Sequence, residues 1–292
     1  MTTSTDTLPG GTATIGDRPV SRFGFGSMQL AGPWVMGPPA DRDGAVTVLR
    51  TALELGITHI DTSDAYGPRI TNQLIHEALA PYPEDLVIAT KVGAQRDDDG
   101  GWPVAREPDQ LRQQVEENLE SLGLDRLDVV NLRMGDAEGP REESLAAPME
   151  ALAAMQQEGL IGHLGLSNVT PDQVARARTI ATVVCVQNAY NLAHRHDDAL
   201  IDTLAADGIA YVPFFPLGGF SPLQSATLDT VTARRGTTRI GAALAWLLQR
   251  SPNILLIPGT SSAAHLRENV TAADVTLTEA DLADLDTIGM ST

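Results

Sequence analysis

The sequence predicts an α/β fold, a (β/α)8 TIM barrel preceded by a short N-terminal β-hairpin. Three observations predict it. Short apolar runs alternate with helical patterns along the whole 292-residue chain. Counted after the hairpin they make eight strand–helix units, the number that closes such a barrel. The runs are mostly continuous rather than alternating, as expected of strands buried on both faces. No linker, low-complexity stretch or shift in composition divides the chain, so residues 1–292 read as one barrel domain with a flexible tail over 1–11. A doubly wound open sheet is the structural alternative. It would carry a G-x-G-x-x-G turn after its first strand, and Gly24-Phe25-Gly26-Ser27-Met28 lacks that spacing.

Each element has its own signal. Residues 12–15 and 18–20 flank a glycine turn and form the hairpin. Residues 22–26 are the first barrel strand. Residues 41–55 carry Val46, Leu49 and Leu53 on one helical stripe and stop at Gly56. Strand 57–61, helix 70–79 and strand 86–90 follow. Helix 107–122 starts on Glu107-Pro108 and ends before Gly123. Next come strand 127–132, helix 143–158, strand 161–166 and a helix from Pro171 to about 179. Strand 183–187, helix 196–206 and strand 209–214 continue the alternation. Helical patterns at 223–234 and 238–250 precede strand 254–257, and helices at 263–271 and 278–288 complete the pattern.

Composition excludes several functions. The chain has 38 acidic and 20 basic residues, a formal net charge of −18. That balance, with 4% aromatics and no basic cluster, excludes nucleic acid as a partner, since phosphate needs Lys and Arg on one face. It also argues against anionic membrane surfaces. No run of about 18 apolar residues is present to span a bilayer, and the first residues lack a signal-peptide pattern. One cysteine, Cys185, permits no intrachain disulfide, which fits a cytoplasmic location. Among the 20 basic residues the only lysine is Lys91. Oligomeric state is not legible.

Polar residues fall at the strand ends, where barrels place their chemistry. The second strand ends in Asp61 and runs on to Tyr66. The third ends in Thr90-Lys91, the fourth in Asn131-Leu132-Arg133, and the fifth in Ser167-Asn168. Gln187-Asn188, Phe214-Phe215 and Pro258-Gly259-Thr260 end the last three. A free phenol, with a pKa of about 10, is a weak proton donor at neutral pH. A nearby ammonium stabilises the phenolate, and a carboxylate keeps that ammonium charged and oriented.

The segment from His59 to Gly67, with Asp61 and Tyr66, resembles the signature of the aldo-keto reductases. So do Ala89-Thr90-Lys91, Gly165-Leu166-Ser167-Asn168-Val169, Val186-Gln187-Asn188-Ala189-Tyr190-Asn191 and Ile257-Pro258-Gly259-Thr260. The five blocks stand in the family's order, and the similarity covers about residues 20–288. The resemblance implies an oxidoreductase on a (β/α)8 barrel that reduces aldehyde or ketone carbonyls with NADP(H) or NAD(H) and uses no metal. Tyr66 would give the proton, Lys91 would favour its ionised form, and Asp61 would pair with Lys91. Ser167, Asn168 and Gln187 would hold the nicotinamide carboxamide, with Phe214 stacked on the ring. Gly259, Thr260, His265 and Asn269 would hold the adenosine end. A cation near the ribose favours NADP. Ser261, Ser262, His265 and Arg267 are the candidates for that contact.

One departure stands out. The family's fourth catalytic residue is usually His, and Arg133 occupies that place here. Arginine cannot act as a base, but it can donate to the carbonyl oxygen. The competing reading is an ion pair of Arg133 with Asp61 or Asp64. The bacterial subgroup with Arg at this position resembles the pyridoxal reductases, which makes pyridoxal one candidate substrate. The alternative function is a non-catalytic NADP-binding regulatory protein of the same fold. Trp34, Trp102 and Met134, with Phe215 and Phe220, are expected to line the substrate pocket. Blander readings suit other residues. Cys185 and Trp246 read as core, and His59 and His76 as packing residues. The pair His194 and His196 has no third metal ligand beside it, and 97–99 reads as a solvated acidic turn.

Overall fold

The structure, a computed structural model, describes residues 8–97, 99–136, 139–216 and 224–289. Residues 1–7 of the expected tail, Asp98 and Phe220 lie outside the described residues. Strands β1 (Thr12–Ile15) and β2 (Arg18–Ser21) form the antiparallel hairpin. Seven parallel strands then follow in chain order in one sheet. They are β3 (Phe25–Gly26), β4 (His59–Asp61), β5 (Val87–Val92), β6 (Leu127–Arg133), β7 (Ile161–Ser167), β8 (Val183–Gln187) and β9 (Ala210–Tyr211). Helices α1 (Arg42–Glu54), α2 (Ile70–Leu79), α3 (Pro108–Leu122), α4 (Ala146–Gln157), α5 (Pro171–Arg178) and α6 (Asp198–Ala206) alternate with them. Helices α7 (Ala226–Arg235), α8 (Arg239–Arg250), α9 (Ala263–Val270) and α10 (Glu279–Asp286) follow β9.

The expected eighth strand is a seam rather than a strand. Single parallel bridges join Ile254 to Tyr211 and Leu256 to Phe23. Leu255 N donates to Tyr211 O at 2.9 Å, Leu256 N to Arg22 O at 2.8 Å, and Gly24 N to Leu256 O at 2.8 Å, which closes the ring. Pro252 and Pro258 flank this segment and have no N–H for a longer ladder. Strand β9 is shorter than the expected 209–214 for the same reason. Pro213 interrupts it, and pairing resumes only as a bridge at Phe214. Arg22 clasps the seam, with Nη2 on the carbonyls of Leu248 and Ser251, both at 2.7 Å, and Nε on Ile254 O at 3.2 Å.

The helices start and stop where the capping chemistry falls. Asp41 accepts from Gly44 N ahead of α1. Glu107 and Gln110 form a capping box ahead of α3, with Pro108 as its first residue and left-handed Gly123 after it. Helix α4 begins at Ala146, not 143, which keeps Pro148 in the first turn where its missing N–H costs nothing. Leu8 to Gly11, assigned to the tail by the sequence, are tied to the barrel instead. Gly11 O accepts from Arg22 N at 2.9 Å and Pro9 O from Phe23 N at 3.1 Å.

Two apolar layers result from the period of two along each strand. Ile60, Ile88, Val130, Leu132 and Leu164 point out against helix residues such as Leu74 and Val115. Val87, Ala89, Val129, Cys185, Ala210 and Leu255 fill the barrel interior, and Ile15 and Val20 of the hairpin plug its floor. The inner row of β5 therefore reads Val87, Ala89, Lys91, and that of β6 reads Val129, Asn131, Arg133. The inner row of β4 is His59 and then Asp61. His59 is buried, and burial holds its pKa down to about 4 although the backbone of Ser21 and Leu256 pulls the other way. A Cβ on Gly24 would sit 2.1 Å from its Nε2, so the ring needs a glycine opposite.

Candidate active site

The upper ends of these inner rows converge. Lys91 Nζ donates to Asp61 Oδ1 at 2.5 Å and to Thr62 O at 3.0 Å. Gln187 Nε2, from β8, donates to Asp61 Oδ2 at 2.8 Å. Both carboxylate oxygens are thus bound from opposite walls of the barrel, and the Lys91 and Asp61 side chains are only 9% and 7% exposed. Burial works against the charge on Lys91, but Asp61 and Tyr66 more than offset it, and its pKa lies above the usual lysine value. Lys91 is therefore an ammonium at neutral pH.

Tyr66 reaches the same place from the β4–α2 loop. Its buried ring lies 5.1 Å from Lys91 Nζ, centroid to nitrogen. The loop turns sharply just beyond it. Gly67 has φ +70°, Arg69 has φ +67°, and a Cβ on Gly67 would meet Gly37 O at 2.8 Å. Trp102 packs edge-on against Tyr66 at 6.3 Å, and the Arg96 guanidinium lies over the Trp102 ring at 4.1 Å.

Arg133 stands at the end of β6, paired in register with Ser167. It makes no ion pair with Asp61 or Asp64. Asp64 instead accepts from Ser121 and Asn72, at 2.7 and 3.2 Å. The one hydrogen bond of the Arg133 guanidinium among the described residues is a long one to Asp136 O, at 3.5 Å. Burial lowers its pKa, Tyr66 and Asp136 raise it, and Arg106 lowers it. It stays charged.

The remaining site residues divide into those the fold brings together and those it does not. Ser167 Oγ and Gln187 Oε1 are buried with no hydrogen-bond partner, beside the Asp61–Lys91 pair. A carboxamide, with one acceptor and two donors, supplies what these two atoms lack. Asn168 is left-handed (φ +58°) and donates to the carbonyls of Met134 and Asp136, both at 2.9 Å, so its amide nitrogen holds the β6 loop. Phe214 ends the β9 segment, edge-on to Phe215 at 5.0 Å. Gly259 lies at the mouth of the seam, where a Cβ would stand 2.7 Å from Gly26 O. Thr260 and Asn269 are buried nearby in sequence around α9, while His265 is exposed in its first turn under the Ser262 cap. Arg267 pairs with Glu54 at 3.2 Å on the surface.

Two expected pocket residues differ sharply in burial. Met134 is 1% exposed, belongs to the outer core, and takes Arg106 Nη1 on its sulfur at 3.2 Å, so it lines no open pocket. The step of one residue from Arg133 turns it to the other face of the strand. Trp34 is 86% exposed in a strained stretch (φ +60°) and offers its carbonyl, not its ring, to Arg96. His194 and His196 engage Asn191 and Asp197 respectively.

Behind the site lies a buried polar lattice that sequence reasoning passed over. Thr62 Oγ1 donates to Asn72 Oδ1 (2.8 Å), Asn72 Nδ2 to Asn118 Oδ1 (2.9 Å), and Thr90 Oγ1 to the same Asn118 oxygen (2.5 Å). It ties α2 and α3 to the strand ends that carry Asp61 and Lys91. The signal was available, since Asn118 sits on the stripe of α3 shared by Leu111, Val115 and Leu122.

Comparison with known proteins decides the family. The profile of the aldo/keto reductase family matches residues 22–289. The chain belongs to the aldo/keto reductase family. It is an oxidoreductase, dependent on a nicotinamide cofactor and acting on a small carbonyl substrate, as that family implies. Pyridoxine 4-dehydrogenase of Escherichia coli strain K12 is 63% identical over 279 residues, 95% of this chain and 98% of that one. A thermostable aldo-keto reductase solved with the inhibitor epalrestat superposes with a TM-score of 0.81 at 29% identity, over 95% of this chain and 99% of that one. An aldo-keto reductase from Klebsiella pneumoniae, solved in complex with NADPH, gives 0.78 at 25% identity, over 95% and 94%. These relatives confirm the barrel. Among the described residues, no helix of this reductase is long and apolar enough to cross a membrane.

Proposed function

We propose that this reductase converts pyridoxal to pyridoxine, with NADPH preferred over NADH, and that Tyr66 is the proton donor. The observation that carries the reading is the set Asp61–Lys91–Tyr66 beside the unpartnered Ser167 Oγ and Gln187 Oε1. The name of the Escherichia coli relative, at 63% identity, supplies the substrate. The NADPH bound in the Klebsiella relative favours NADP(H).

The nicotinamide, when bound, supplies a hydride to the carbonyl carbon. Ser167, Gln187 and Asn168 are the residues to hold its carboxamide, with Phe214 against the ring face. Gly259, Thr260, His265 and Asn269 are the residues for the adenosine end, and Ser261, Ser262 and Arg267 for the 2′-phosphate. Every other step belongs to side chains of the barrel mouth. Tyr66 hydrogen-bonds the substrate carbonyl oxygen and gives up its phenolic proton as negative charge develops there. Lys91, held charged by Asp61, stabilises the phenolate that remains. The proton lost by Tyr66 is replaced from solvent. Arg133 donates to the same carbonyl oxygen as a fixed cation. Trp102, edge-on to Tyr66, forms one wall for the substrate ring.

The test follows oxidation of NADPH, and separately NADH, by pyridoxal and by a panel of aldehydes and ketones. Pyridoxal with NADPH should give the highest kcat/KM. Better turnover of an unrelated ketone, or equal use of NADH, would overturn the respective assignment.

A further inference from the structure

We propose that Arg133 selects aldehydes bearing an acidic hydroxyl on the ring carbon next to the carbonyl, taking the carbonyl oxygen and the ionised hydroxyl oxygen on two arms of its guanidinium. This rests on the reading of the site as a carbonyl reductase with Tyr66 as donor, and it names what that site recognises.

Two of the cations around the mouth, Lys91 and Arg106, have carboxylate partners. Lys91 is bound to Asp61 at 2.5 Å, and Arg106 to Glu143 at 2.5 Å. Arg133 faces the same mouth, at the top of the inner row Val129, Asn131, Arg133, and its charge acts on Tyr66. Among the described residues it has no carboxylate partner, and its one hydrogen bond, 3.5 Å to Asp136 O, is at the limit of what counts as one. A guanidinium withdrawn from water is costly unless its N–H groups are satisfied; Arg22 meets that cost with three carbonyls, whereas Arg133, among the described residues, has only the one long bond. A carbonyl oxygen alone is neutral and occupies one N–H. The planar fork of arginine fits two oxygens side by side, one of them anionic. An aromatic aldehyde with an ionised hydroxyl on the adjacent carbon presents that pair on one side of its ring, wider apart than in a carboxylate but within reach of two N–H groups of one guanidinium. Its carbonyl oxygen keeps a second lone pair for Tyr66. Lysine could not replace this group, because an ammonium is a point charge without the fork.

The test pairs two aldehydes that differ only in that hydroxyl, 3-hydroxypyridine-4-carbaldehyde and pyridine-4-carbaldehyde, with NADPH and with wild type, Arg133→Met and Arg133→Lys. Wild type should favour the hydroxylated aldehyde by about tenfold or more in kcat/KM. Arg133→Met should lower both rates, but the hydroxylated one by at least about tenfold more, and Arg133→Lys should restore part of the rate and little of the preference. A second readout is binding. At a pH where the free hydroxyl is half ionised, wild type should raise the ionised fraction seen in the near-ultraviolet absorbance, and Arg133→Met should not. Equal losses on the two aldehydes, with no absorbance change on binding to wild type, would overturn the proposal and leave the reductase reading standing. Failure of wild type to oxidise NADPH with either aldehyde would overturn both.

Discussion

Replacing Lys91 by methionine should damage stability and catalysis separately, and a second substitution should tell the two apart. Met fills the volume of the lysine stem but leaves Asp61 Oδ1 with no partner, in a place where both side chains are under a tenth exposed. Breaking a buried ion pair from one side costs about 3–5 kcal/mol, because the remaining charge is stranded. Thr62 O also loses its 3.0 Å donor. At roughly 2–4 °C per kcal/mol for a chain of this size, Tm should fall by about 10 °C. The rate constant kcat should fall by roughly 10²–10⁴-fold as the phenolate of Tyr66 loses its cation. Adding Asp61→Asn removes the stranded charge, while an amide oxygen there can still accept from Gln187 Nε2. The double variant should regain most of the lost stability in urea titrations and none of the activity. If D61N/K91M is no more stable than K91M, the stranded carboxylate is not the cause, and the electrostatic account of the pair fails.

Three further outcomes follow from the packing. His59 has a folded pKa of about 4 against about 6.5 in an unfolded chain, so between those values the unfolded state holds more protons and stability is lost as the pH is lowered. Its contribution is flat above pH 7 and about 3 kcal/mol lower at pH 4, and His59→Met should remove that part of the slope in urea titrations at pH 4.5, 5.5 and 7.5. Gly24→Ala drives a methyl group into the His59 ring and should cost about 1–3 kcal/mol in the same titrations, whereas the double variant with His59→Ala should recover part of it. Asn118→Leu cuts the lattice behind Thr62 and Thr90, and should cost about 1–3 kcal/mol and lower kcat more than it raises KM for the aldehyde. An Asn118→Leu enzyme with wild-type kcat would show that Lys91 and Asp61 do not depend on the lattice.

What was legible in the sequence was the part governed by local rules. Proline and glycine marked the helix ends, and the runs marked the strands, so the strand ends with Asp61, Lys91, Arg133, Ser167 and Gln187 fell in the right places. Whether a side chain faces the mouth or the helices depends on a single-residue step, and there the reading failed. Met134 follows Arg133 and points the other way. The seam at 254–257 reads as an apolar strand, but its prolines decide how little of it can pair. Asn72 and Asn118 were visible as polar residues on apolar stripes, yet their meaning lies in partners from other elements, about 46 positions apart in the chain.

The Arg22 clasp bears on how this barrel assembles. Its three carbonyl partners lie 226, 229 and 232 positions away along the chain. Contacts of that separation carry the largest loop-closure cost and are formed after the local strand–helix pairs that make them worthwhile. The ring is therefore the last thing to close during folding and, with only two single bridges along the seam, the first to part. Amide hydrogens of Gly24, Leu255 and Leu256 should exchange with solvent well before those in the middle of β6 and β7, even though all of them are equally hidden from water.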